Sequence, residues 1–161
     1  MAKDDDYPIT QAIRVLREYK VQFTPHVYDY VERGGTEHSA AALGVDEHCV
    51  IKTIVLEDDQ KQPLICLQHG DNEVSTKSLA RARGCKSVGP CSPETANRHT
   101  GYLVGGTSPF GTRKPLPVYM QRSIEELPVI YINGGKRGFL VGLAPCDVQR
   151  VLQPILVDAA S

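Results

Sequence analysis

The chain between residues 49 and 68 reads CVIKTIVL (49–56), EDDQKQ (57–62) and PLICLQ (63–68). Two apolar runs around a polar joint predict an antiparallel hairpin, with a joint longer than the two-residue ideal. In the first run Ile51, Thr53 and Val55 share one face, and Lys52 and Ile54 the other. A strand apolar on both faces belongs inside a sheet. Lys52 then either snorkels to solvent, as on an edge strand, or points its ammonium into a cleft. A central position favours the cleft.

Upstream of the hairpin, Thr10 can cap a helix to about Lys20 with Ala12, Ile13 and Leu16 on one face. Val21 to Val31 reads as extended, opened by Thr24-Pro25. Thr36 starts a short helix that closes at Leu43 before Gly44. Downstream, Ser75 caps a helix over Thr76–Arg83, closed by Gly84, and Ser92-Pro93-Glu94 opens another near 93–99. Tyr102-Leu103-Val104 reads as a short strand entering a glycine loop. Pro128–Asn133 and Phe139–Leu143 read as strands around Gly134-Gly135-Lys136-Arg137-Gly138, and Pro145 opens a last helix to about Leu152. Helices and strands do not alternate at βαβ spacing, so the expected class is α+β on one mixed sheet.

The 161 residues fit a single domain, and 41% hydrophobic with 23% charged residues is globular usage. No apolar run approaches the roughly 18 residues of a membrane span. The opening Met-Ala-Lys-Asp-Asp-Asp lacks the apolar segment of a secretory signal, and a cytoplasmic protein is expected. Five widely spaced cysteines without C-x-x-C, and five histidines without ligand spacing, indicate neither disulfides nor a metal site. The charge is uneven: residues 1–76 hold 7 Lys/Arg against 14 Asp/Glu, and residues 77–122 hold 8 against 1. Such asymmetry points either to an anionic partner or to two oppositely charged segments packed together.

Two glycine-rich segments could approach a ligand closely. Gly105-Gly106-Thr107-Ser108-Pro109-Phe110-Gly111 offers consecutive backbone N–H groups, but matches neither nucleotide-binding fingerprint. Gly134-Gly135-Lys136-Arg137-Gly138 is either a turn with two solvated charges or a phosphate-binding turn. No G-x-S-x-G elbow exists.

Four segments together resemble a known family. They are Thr36 with Ala41, Ala42, Leu43, Gly44 and Val45; the strand Val50–Val55; Gly101–Gly111 with its G-G-x-S-P core; and Asn133–Gly138. The combination is similar to the YbaK/EbsC family, free-standing relatives of the editing domain inserted in bacterial prolyl-tRNA synthetases. The resemblance runs from about Thr10 to Leu152. It implies a single compact domain over 1–161, core about 10–152, with a mixed, partly barrel-like sheet flanked by helices.

It also implies deacylation in trans of mischarged aminoacyl-tRNA carrying a small amino acid, cysteine on tRNA(Pro) first among them, with alanine, serine or threonine as alternatives. By resemblance Lys52 contacts the 3′-terminal nucleotide, and the loop holding Gly105, Gly106, Ser108 and Pro109 grips the aminoacyl ester. Tyr28, Thr53, Gly101, Thr107, Asn133, Gly134 and Lys136 fall to substrate binding. No cofactor or metal is implied; the partners are the tRNA acceptor end and prolyl-tRNA synthetase. Two positions depart from the family: Gly138-Phe139-Leu140 replaces a common Gly-Leu-Asp, and Asn133 replaces a serine-like residue. A catalytically silent module for RNA 3′ ends and a small-molecule ester or thioester hydrolase are the competing readings. Ester hydrolysis needs the carbonyl oxygen held and water or a substrate group positioned, so a visible triad is not required.

Overall fold

The structure, a computed structural model, describes residues 6–161. The charged opening residues Met1 to Asp5, on which the expectation of no secretory signal partly rests, lie outside the described residues. The hairpin is present: β2 (Val50–Asp58) and β3 (Pro63–His69) pair antiparallel from Ile51 against His69 to Glu57 against Pro63. Asp58 Oδ1 accepts from the Gln60 and Gln62 backbone and so closes the long joint.

Around this hairpin run β1 (Thr24–Val27), β4 (Val88–Pro90), β5 (Val118–Gln121), β6 (Ile130–Lys136), β7 (Phe139–Leu143) and β8 (Ile155–Val157). The order is β1-β7-β6-β2-β3-β5-β8, with β4 also against β2. β2 with β6, β3 with β5 and β5 with β8 are parallel; the other pairs are antiparallel. The sheet is mixed and open, with β1 and β8 at its ends. Pro25 sits on the end strand β1, where a missing N–H is tolerated.

Helices α1 (Gln11–Glu18), α2 (Gly35–Leu43), α3 (Thr76–Arg83), α4 (Pro93–Thr100) and α5 (Pro145–Leu152) follow the cap signals closely. Thr10, Ser75 and Ser92 each accept from the N3 backbone, and Gly44, Gly84 and Gly101 close their helices in the left-handed region. The main core joins Ile13 and Leu16 of α1 to Ile51, Ile65, Leu67, Met120, Ile132 and Phe139 of the sheet. A second cluster packs Leu79 of α3 on Leu56, Leu64 and Cys66, and a third gathers Ala40, Val50 and Leu140.

Two expectations are corrected, and one left open is partly decided. Tyr102–Val104 is a turn, not a strand. The Tyr102 carbonyl accepts from Asn97, its hydroxyl donates to the Phe110 carbonyl, and Leu103 and Val104 stand exposed. Gly134 to Lys136 belong to β6 instead of a free turn: Asn133 Oδ1 accepts from the N–H groups of Gly135 and Lys136 and pins a bulge. Part of the basic segment is committed internally, since Arg83 pairs with Asp58 at 3.1 Å and Lys114 donates to His99.

Candidate functional site

The site opens beside β2, where its neighbours leave it. β6 pairs with β2 only at Val50 and Ile51, and β4 joins β2 only from Leu56 onward. Between them, Lys52 to Val55 keep β3 on one edge and no strand on the other. A cavity of about 630 Å³ lies along this gap. All four residues line it, with Tyr28, Tyr30, Ser39, Gly105, Thr107, Asn133, Arg137 and Leu140 among its walls.

Lys52 is half-buried. Its Nζ donates to the Asn72 carbonyl at 2.7 Å and lies 3.7 Å from the exposed Glu73 carboxylate, which places a cation on the cavity wall. Thr53 Oγ1 is buried and makes no hydrogen bond with any described residue. An unmatched hydroxyl against a cavity is a ready partner for a polar ligand.

The facing wall is the turn at 103–107. Gly106 N–H donates to the Leu103 carbonyl and Thr107 Oγ1 donates to the same oxygen. Two side chains from β6 and its following turn hold this turn in place. Asn133 Nδ2 donates to the Gly105 carbonyl at 3.3 Å, and Arg137 Nε donates to the Val104 carbonyl at 2.9 Å. Gly105 has φ +92°, and a Cβ there would stand 2.6 Å from the Tyr30 hydroxyl. The floor is Leu140, buried against Val50 and Ala40, with Tyr28 packed beside them. Burial pushes the Tyr28 phenol up, against a weaker pull from its Ser39 hydrogen bond.

Of the residues picked out from sequence, Tyr28, Lys52, Thr53, Gly105, Thr107 and Asn133 meet in the cavity wall. The other six lie off it. Gly106 and Gly134 are buried supports: a Cβ at Gly106 would fall 2.6 Å from the Arg137 nitrogen, and one at Gly134 would strike the Phe139 ring. Ser108 and Pro109 are buried under the loop, with Ser108 Oγ accepting from the Phe110 N–H. Gly101 caps α4, and Lys136 is exposed outside the lining. Tyr30, Ser39 and Cys91 also line the cavity without being singled out, and Arg137 lines it from the turn read as a possible phosphate site. Tyr30 carried a signal, standing two residues from Tyr28 in an extended segment.

One cavity-lining hydroxyl has a carboxylate partner: Thr36 Oγ1, in the first turn of α2, donates to Glu47 Oε2 at 2.7 Å. The Cys91 thiol is pushed up to about 11, by burial first and then by Glu57, so it stays protonated at neutral pH. His38 Nε2 donates to the Asp29 carbonyl. A Ser–His contact does exist, Ser123 Oγ to His69 Nε2 at 2.7 Å, but neither residue lines the cavity. His69 is fully buried and its Nδ1 donates to the His48 carbonyl, which is a packing role.

A cavity in the gap of a mixed sheet, with a lysine on one wall and a glycine turn on the other, belongs to a recognised class. The model of the aminoacyl-tRNA editing domain matches residues 33–151, and the chain belongs to that family. Among its relatives is EbsC of Enterococcus faecalis, a proposed Cys-tRNA(Pro)/Cys-tRNA(Cys) deacylase. It is 31% identical over 146 residues, covering 90% of this chain and 89% of EbsC. A proline–tRNA ligase of Brachyspira hyodysenteriae is 27% identical over 86 residues, which are 53% of this chain and 15% of the ligase. The fold also matches the crystal structure of a proposed trans-editing enzyme for prolyl-tRNA synthetase. There the TM-score is 0.82 at 19% identity, covering 96% of this chain and 99% of the other.

Proposed function

We propose that this chain deacylates mischarged aminoacyl-tRNA in trans, with cysteine on tRNA(Pro) as its first substrate. The observation that carries this reading is the pairing of the Lys52 cation with the clamped Gly105–Thr107 turn across one cavity. Lys52 would meet the phosphate or ribose of the terminal nucleotide, and the turn would hold the ester. Tyr28, Leu140 and Val50 would bound the space for a small side chain. Exclusion by size suits an editing sieve, because one methylene gives the synthetase only about 1–3 kcal/mol of discrimination.

The protein need not supply a nucleophile. For a cysteinyl ester the substrate's own thiol attacks its carbonyl. A C–S bond forms, the ester C–O bond breaks, and the thiol proton passes to the ribose oxygen as a cyclic thioester leaves. For alanine, serine or threonine a bound water takes the thiol's place, and the reaction is a hydrolysis. Prolyl-tRNA synthetase is the partner such a substrate would come from. No helix among the described residues is long and apolar enough to cross a membrane.

The test is loss of labelled amino acid from Cys-, Ala-, Ser-, Thr- and Pro-charged tRNA. Cysteine released from tRNA(Pro) well above the spontaneous rate, with proline retained, is the expected result. Release of none above background would leave the silent RNA 3′-end module, a reading that Leu140 in place of the common acid favours.

A further inference from the structure

We infer that Tyr30 and Arg137 form a stacking ledge at the cavity mouth for the unpaired nucleotide that precedes the terminal one in the RNA 3′ end. This rests on the reading above that the cavity receives the end of a tRNA. The Arg137 guanidinium lies over the Tyr30 ring at 5.3 Å from its centroid. Its orientation is fixed because Nε donates to the Val104 carbonyl. The Tyr30 hydroxyl lies beside Gly105, where an added Cβ would stand 2.6 Å from it. The result is a pair of planar groups at a rim that also carries Val31 and Val104.

These rim groups are exposed: Tyr30 at 38%, Val31 and Val104 at 48% each. Tyr30, Val31, Val104 and Arg137 all belong to the cavity lining. A nucleotide chain whose last residue reaches Lys52 can leave over this rim. Unpaired bases are gripped by aromatic rings and guanidinium planes, with little dependence on sequence, and the arginine charge suits the phosphate between stacked bases. Val31 and Val104 would cover the base edges. A ledge of this kind grips the RNA and leaves the chemistry of the ester untouched. Tyr30 is therefore a binding residue separate from Lys52, whereas Arg137 both stacks on Tyr30 and holds the Val104 carbonyl of the glycine turn.

The experiment uses a short fluorescent RNA ending in CCA, titrated by anisotropy against the wild-type protein and Tyr30→Leu, Tyr30→Phe and Arg137→Gln. A second RNA is abasic at the penultimate position. Tyr30→Leu and Arg137→Gln are expected to weaken CCA binding about tenfold, the scale of one lost base–aromatic stack, while Tyr30→Phe binds like wild type. The abasic RNA should bind wild type about as weakly as CCA binds Tyr30→Leu. On charged tRNA Tyr30→Leu should raise KM and leave kcat in place. Should Tyr30→Leu fail to fold, the abasic comparison on wild type still decides. Equal binding of the two RNAs by wild type would overturn the ledge. Equal rates on every charged tRNA and in buffer would overturn the deacylase reading while leaving the ledge standing on its anisotropy data.

Discussion

Asn133 and Gly105 are joined by a hydrogen bond from Nδ2 to the carbonyl at 3.3 Å, and this contact ties the β6 bulge to the glycine turn. The same side chain uses Oδ1 to hold the N–H groups of Gly135 and Lys136. One amide therefore holds both the β6 bulge and the wall across the cavity. The two roles separate chemically, because an aspartate keeps both acceptor bonds and loses the donor.

Asn133→Asp should accordingly keep the bulge and release the turn. The expected outcome is a deacylation rate about tenfold lower, with a melting temperature close to wild type, since misplacing a positioned group costs rate before it costs stability. A variant as fast as wild type would show that the turn holds its place without Asn133.

Gly106 acts one layer below the cavity. Its Cβ would meet the Arg137 nitrogen at 2.6 Å and the Lys136 carbonyl carbon at 2.8 Å, backbone atoms that cannot swing away. Gly106→Ala should lower stability by about 1–3 kcal/mol, as overpacking does, and lower activity with it. Thermal melting checks the first effect. Unchanged melting with lost activity would instead place Gly106 against the substrate.

Much of this architecture is legible before any coordinates. The β2–β3 hairpin follows from its apolar runs, α3 from Ser75 and Gly84, and α5 from Pro145 at its first position, all local signals. The strand β8 does not: its three residues pair in parallel with β5, and a contact between Tyr119 and Ile155 leaves no mark on either stretch. Gly134 to Lys136 reads as a turn because its glycines resemble one, yet Asn133 binds the N–H groups of Gly135 and Lys136 and the strand continues. Lys52 was visible as a cation in an apolar strand. The gap that gives it a cavity was not, because it depends on where β6 and β4 stop, which tertiary packing decides.

The basic segment divides in two. Arg83 is held by Asp58 and by the Tyr119 hydroxyl, whereas Arg81 is exposed on the same helix. Arg83→Glu should lower the melting temperature. Arg81→Glu should leave it unchanged and, if the exposed side of α3 meets the acceptor stem, weaken tRNA binding with a shallower salt dependence. Equal melting temperatures for the two variants would contradict the internal assignment of Arg83.

Acid should weaken the fold through His69. Burial, its largest influence, holds the imidazole below its ordinary value of 6.5, although the His48 carbonyl opposes this. The unfolded chain therefore binds more protons than the folded one over that window. Stability is full above about 6.5 and drains as pH falls toward the folded value. His26 shifts in the same direction, also by burial. Melting temperatures between pH 7.5 and 5 should fall in wild type and fall less steeply in His69→Gln. Parallel curves would remove His69 from the acid response.

The most direct test of the central claim is the single-turnover rate of Cys-tRNA(Pro) deacylation by Lys52→Ala. Lys52 gives up one hydrogen bond to the Asn72 carbonyl and a long contact to an exposed carboxylate, so folding should be little changed. Loss of the positioning cation should slow the reaction on the order of a hundredfold at an unchanged melting temperature. A folded Lys52→Ala protein that clears Cys-tRNA(Pro) as fast as wild type would contradict the claim that the gap beside β2 is the site of reaction.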